Sequence, residues 1–188
     1  GRPGGRRPAL LQLGDGWASR VGPADLQPIG TAALLARLDP RARAAAHLFA
    51  EERPGQAALA FPWALNPWVL LLRDRPDLAR RAQEGWQLLL DPSLRGRLVL
   101  PSSARLCLAL VGEDPQRLRQ LRAQALAYDD RDGLNLLLQG YAEAMVLPRQ
   151  RLLPLLRRDP RLEGVVPPEG GPLSWNLLLS PVGAPAAP

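Results

Sequence analysis

The sequence predicts an α/β fold in which short buried strands alternate with helices. Three observations carry that expectation. Short apolar runs, VLLL at 69–72, LVL at 98–100 and AEAMVL at 142–147, recur between helix-like segments, as strands covered on both faces do. Asp-Pro pairs at 39–40, 91–92 and 114–115 punctuate those segments, since Asp caps a helix and Pro suits its first turn. The stretch WQLLLDPSLRGRLVLPSSAR at 86–105 then reads as helix end, Asp-Pro stop, Gly-bearing turn, buried strand and Ser-rich helix start. In an α/β protein a ligand commonly sits just past the carboxyl ends of the strands. Pro101, Ser102 and Ser103 occupy that position, where a helix start offers free N–H groups.

Each element follows in order. Residues 9–13 are a short apolar strand candidate, and GDGW after them is a strand-to-helix turn. Residues 24–29 read as a loop because Pro28 bars a helix. Thr31 is placed to cap a helix over 32–38, which Asp39-Pro40 ends. A second helix is expected over 40–52, stopped by Arg53-Pro54-Gly55. Residues 57–60 form a small strand leading into FPWALNPW, 69–72 a buried strand and 77–89 a helix. After the strand at 98–100, Ser102 or Ser103 caps a helix through 110, and Asp114 begins the helix DPQRLRQLRAQALAY. Residues 134–139 read as helix, 142–147 as strand, 148–156 as helix, 165–166 as a short strand and 173–179 as a final one. The alternation predicts mainly parallel pairing. No 20–50 residue repeat is visible.

Composition narrows the function classes. The chain has 188 residues, 46% of them apolar, enough to bury a core in one ordinary domain or two small lobes. Net charge is +6, and every one of the 24 basic residues is Arg, a skew that resembles genome bias. The arginines are scattered among acids rather than gathered in a stripe, so no nucleic-acid partner is expected. One His (His47) and one Cys (Cys107) build neither a metal cluster nor a disulfide framework. GDG at 14–16 is too short for a phosphate fingerprint. No metal, no cofactor and no enzymatic activity are therefore expected. No signal-peptide core or membrane-length apolar run is present; GRPGGRRP reads as a lead-in, PVGAPAAP as a tail, and the chain as a mature, cut or partial product.

The order of pieces resembles the bacterial extracellular solute-binding proteins of ABC transporters, in particular the polyamine (spermidine/putrescine)-binding group and its cyanobacterial relatives. Four stretches carry the resemblance: LLQLGDGW (10–17), AFPWALNPWVLLLR (60–73), WQLLLDPSLRGRLVLPSSAR (86–105) and VVPPEGGPLSWNLLLSP (165–181). It implies a two-lobed, type II periplasmic-binding-protein-like α/β fold with the start of the first lobe missing. Residues 1–57 would be the middle of the first lobe, 58–172 the second lobe, and 173–188 the strand returning to the first lobe with a tail. It also implies a periplasmic monomer that hands a small-molecule solute to ABC transporter permease subunits.

The resemblance also implies where ligand contacts fall. At matched positions the family's acidic pair becomes Ser103 and Leu106, one Trp becomes Leu147, another becomes Ser174, and an Asp becomes Asn176. Asp15 and Trp17 are what is left of an amine-type site, which needs opposite charge and an aromatic face. Ser102, Ser103, Arg105, Arg149 and Asn176 stand in place of the rest, a set suited to a carboxylate, phosphonate or phosphate. Each has a plainer reading beside it. Ser103 is then a helix cap, Arg105 and Arg149 solvated side chains, and Asp15 a turn residue tolerant of a left-handed backbone. Trp63 and Trp68 either line a cleft together, or Trp68 is core and Trp63 alone is exposed. The expected function is solute capture for an ABC importer with an altered ligand. The alternative is a degenerate scaffold that acts as an interaction module without ligand.

Overall fold

The computed structural model describes residues 8–29, 32–48 and 57–185. The expected cap at Thr31, the helix end at 53–55, the lead-in through residue 7 and the last three residues of the tail lie outside them. In chain order the elements are β1 (Leu11–Gly14), α1 (Asp15–Ala18), β2 (Leu26–Gln27), α2 (Ala32–Ala36), α3 (Pro40–Ala46) and β3 (Ala60–Arg73). They continue with α4 (Pro76–Ala79), β4 (Leu98–Leu100), α5 (Ala104–Leu110), α6 (Pro115–Gln124) and β5 (Ala125–Tyr128). Then follow α7 (Gly133–Leu138), β6 (Ala144–Pro148), α8 (Arg149–Leu156), β7 (Leu162–Val165) and β8 (Leu173–Pro181). The chain divides into two compact units: Asn66–Leu173 form unit 2, and the described residues before and after them form unit 1.

In unit 2 a five-stranded sheet runs in the order β7-β3-β6-β4-β5. β4 pairs in parallel with β5 and β6, while β3 pairs antiparallel with β6 (Trp68↔Pro148 to Leu72↔Ala144) and with β7. Pairing is therefore mixed rather than mainly parallel, because β3 enters the sheet running against its neighbours. Successive residues go to opposite faces, as the two-residue strand period demands. Leu70, Leu72, Leu98, Leu100 and Val146 join one apolar cluster; Val69, Leu71, Val99, Met145 and Leu147 join the other. Burial on both faces is why these strands read in sequence as unbroken apolar runs.

Unit 1 is built differently. β1 and β2 both pair antiparallel with β8, with Gly14 opposite Asn176 and Leu26 opposite Pro181. Leu177 and Leu179 are fully buried while the intervening Leu178 is half-buried, the alternation of a strand with one core face. Asp39 caps α3, its Oδ1 accepting the Arg41 N–H at 2.9 Å, and Pro40 fills the first turn. α3 ends at Ala46, and His47 beyond it is exposed.

Further expectations are corrected. Of the strand expected at 57–60 only Ala60 is extended, and it begins one long strand, β3, which takes in the expected 69–72 and runs through Pro62 and Pro67. Both prolines lie outside its register with β6 and β7, so their missing N–H groups cost no bond there. The helix expected over 77–89 is α4 followed by a 3-10 stretch, Ala82–Leu90, broken at Gly85 with φ 58° and ψ −132°. A Cβ on Gly85 would lie 2.0 Å from a Glu169 carboxylate oxygen, and that carboxylate accepts the Trp86 N–H at 2.8 Å. The helix expected from 114 through Tyr128 stops at Gln124, because 125–128 is drawn into a parallel ladder beside β4. Residues 24–29 contain β2.

Candidate ligand-binding site

Parallel strands bring their carboxyl ends to one edge of a sheet, and in unit 2 three loops leave that edge. Leu100 pairs with Tyr128, and Val99 with Met145, so the residues after β4, β5 and β6 emerge side by side. Ser102 and Ser103 follow β4, Asp129–Asp132 follow β5, and Arg149 opens α8 after β6.

The centre of this edge is a Ser102–Asp130 pair. The Ser102 N–H lies 3.3 Å from both Asp130 carboxylate oxygens, and Ser102 Oγ donates to Oδ2. The carbonyl of Asp130 accepts from Arg151 Nη1 at 2.5 Å. Asp129 makes the turn rigid by accepting the N–H groups of Arg131 and Asp132 at 2.8 and 2.9 Å, which hold its carboxyl below the usual range. Beneath the loop, burial and then the Asp130 charge push the Cys107 thiol up to about 11, so it stays a protonated core residue.

Each residue singled out from the sequence now has a place. Ser103 caps α5, accepting the Leu106 N–H at 3.4 Å, so its hydroxyl has a structural task. Ser102 is exposed, and its hydroxyl proton is committed to Asp130. Arg105, on the first turn of α5, and Arg149 are both exposed. Among the described residues Arg149 has no ion-pair partner, which leaves its guanidinium available.

The other four residues belong to unit 1. Asp15 and Trp17 lie on α1, directly after Gly14, and Gly14 is the register partner of Asn176, so these three gather at one end of the β1–β8 ladder. Asp15 is the first helical residue, not a left-handed turn residue, and its Oδ1 accepts the Gly16 N–H at 2.9 Å. Trp17 is 66% exposed, but the Arg20 guanidinium sits over its ring, 4.9 Å from the centroid. A cation of the chain itself thus occupies the aromatic face. Trp63 is exposed and Trp68 is buried in the core of unit 2.

Sequence reasoning missed Asp130, Arg151 and Arg20. Asp130 was hidden because YDDRDG follows a segment read as helix; recognising ALAY as a strand puts those acids at a strand end. Among the described residues, no group of three or more His, Cys, Asp or Glu is placed to hold a metal ion. No helix among them is long and apolar enough to cross a membrane.

No protein-family model matches the chain, and no curated protein matches it by sequence. Solved structures do resemble it. A putative spermidine/putrescine ABC transporter protein from Listeria monocytogenes is 18% identical over 97% of this chain and 60% of its own, with a TM-score of 0.63. FutA2 from Synechocystis PCC6803 is 18% identical over 94% and 61%, with a TM-score of 0.67. The Trichodesmium protein IdiA (FutA), solved with iron and citrate, is 13% identical over 94% and 60%, also at 0.67. The chain has the fold of these type II periplasmic binding proteins and spans about three-fifths of their length.

Proposed function

We propose that this chain is the substrate-binding component of an ABC importer, a non-catalytic periplasmic monomer that captures a small solute and delivers it to permease subunits. The shared fold supports this reading. One observation carries it furthest: in unit 2, Ser102, Asp130 and Arg149 each follow the end of one of three adjacent parallel strands, the usual ligand edge of an α/β sheet.

The same edge favours a ligand other than a polyamine. Asp130 keeps acceptor capacity beyond its bonds to Ser102, which suits an ammonium group, while Arg149 suits a carboxylate or phosphonate. Asp130 and Arg149 leave strands on either side of β4, which sets their backbones roughly 10 Å apart by strand spacing. A short chain with an amine at one end and an acid at the other matches that charge pattern. The structurally similar proteins bind chemically different ligands, so the fold by itself selects none.

Thermal unfolding of the protein against spermidine, putrescine, cadaverine, 5-aminovalerate, glutarate and ferric citrate tests the reading. A ligand at a hundred times its Kd stabilises the folded state by about 2.7 kcal/mol. The expected result is stabilisation by 5-aminovalerate above cadaverine and glutarate, lost in Asp130→Asn and in Arg149→Ala. Stabilisation by spermidine or ferric citrate alone keeps the solute-binding function and overturns the amphoteric ligand. No shift with any of them favours the degenerate interaction module.

A further inference from the structure

Unit 2 holds a second candidate site at the opposite edge of its sheet. A pocket of about 370 Å³ is lined by Leu90, Pro92, Arg95, Gln120, Ala123 and Gln124. Gln120, Ala123 and Gln124 share one face of α6 by their i, i+3, i+4 spacing. Gln124 directly precedes β5, Arg95 lies three residues before β4, and the Gly96 N–H donates to the Gln124 carbonyl at 3.0 Å. The pocket therefore flanks the amino ends of β4 and β5, away from the Ser102–Asp130 pair.

Its lining holds one unpaired buried acceptor and one exposed cation. Gln124 is only 8% exposed; its Nε2 donates to the Leu90 carbonyl at 3.2 Å, but among the described residues nothing donates to its buried Oε1. Buried polar atoms are nearly always satisfied, so an orphaned buried acceptor on a pocket-lining residue needs a reason. Packing supplies none, since a Met or Leu would fill the same space without the deficit. Arg95 is exposed and is not among the ion-paired arginines of the described residues. Leu90, Pro92 and Ala123 give the pocket an apolar side. Its volume falls within the range of small-molecule sites, far above the roughly 30 Å³ of one water.

We propose that this pocket binds a small carboxylate that also carries a hydroxyl or amino donor. The carboxylate pairs with the Arg95 guanidinium. The donor goes to Gln124 Oε1, whose terminal torsion is soft enough to turn the amide toward it. The short carbon body lies against Leu90, Pro92 and Ala123.

A series of three-carbon acids of nearly equal size isolates the orphaned acceptor. L-lactate and L-alanine carry the donor, and propionate lacks it. Calorimetric titration of the protein is expected to show lactate or alanine binding at least about tenfold more tightly than propionate, the usual penalty for leaving a buried acceptor unmet. Arg95→Ala abolishes binding of all three, and Gln124→Met erases the preference while leaving binding at the propionate level. Ser102→Ala and Arg149→Ala leave both results unchanged, which separates this pocket from the site proposed above. Equal binding of propionate, a preference that survives Gln124→Met, or no binding of any of the three overturns the proposal.

Discussion

Unit 2 and unit 1 solve the same burial problem with different amounts of core. In unit 2, β3, β4 and β6 send alternate residues into two separate apolar clusters, so the sheet is covered on both sides. In unit 1 the described core is a single cluster around Ala18, Leu26, Leu59, Ala60, Leu177 and Leu179. A two-sided sheet leaves little room for a deleted side chain to be absorbed, because every neighbour is itself pinned. A one-sided strand has more freedom to relax toward the vacancy. The difference teaches where rigidity resides: the strand ends that carry Ser102, Asp130 and Arg149 belong to the better-packed unit.

Matched deletions test that contrast most severely. Leu98 and Leu177 are both fully buried strand residues, one in each unit. Leu98→Ala is expected to cost about 4 kcal/mol and Leu177→Ala about 2, both within the range of about 2–5 kcal/mol for buried leucines that differ in how far the site collapses. Hydrogen exchange, read separately for β4 and β8 amides, measures each loss where it falls. Equal losses would remove the packing contrast between the units.

Gly85 probes a different kind of rigidity within unit 2. Its φ of 58° with ψ of −132° is a conformation L residues avoid, and an added Cβ would strike the Glu169 carboxylate. That carboxylate accepts the Trp86 N–H, and the Trp86 indole N–H donates to the Gly170 carbonyl at 2.7 Å. Gly85→Ala combines backbone strain with displacement of Glu169 and is expected to cost about 3 kcal/mol. Glu169→Ala alone removes only the acceptor and is expected to cost about 1–2 kcal/mol. The double variant should cost less than the sum, since both changes remove the same bond. Denaturant unfolding followed by Trp fluorescence gives all three values; full additivity would mean that Glu169 and Gly85 do not act together.

The same contrast explains what the sequence disclosed. VLLL, LVL and AMVL are strands buried on both faces, so composition alone marked them, and the Asp-Pro and Ser caps marked α3, α5 and α6. ALAY in β5 is different: its residues alternate half-buried and exposed, and its alanines and leucine suit a helix as well as a strand. Only pairing with β4 decides the matter, and pairing is a long-range contact that local pattern does not contain. That single misreading also hid Asp130. Ser102 and Arg149 were legible because they directly follow unmistakable strands. Arg20 over Trp17 was not recognised, although their i, i+3 spacing on a helical turn permits the stack.

The smallest expected effect lies in unit 1 and concerns Arg20. An exposed cation over an indole contributes roughly 0.5–1 kcal/mol, so Arg20→Ala should barely move the stability of the unit. Its informative readout is access to the ring rather than stability. With the guanidinium 4.9 Å from the centroid, one face of Trp17 is shielded; removing it should raise the acrylamide quenching of Trp fluorescence, a neutral probe blind to the lost charge. Spermidine then distinguishes two roles for the pair. If Arg20 occupies the place of a ligand amine, spermidine should perturb the fluorescence of Arg20→Ala and leave the parent unchanged, because only the variant offers a bare indole face. An equal response in both proteins would make the pair ordinary surface packing, and unit 1 would then contribute no selectivity against cations through this ring.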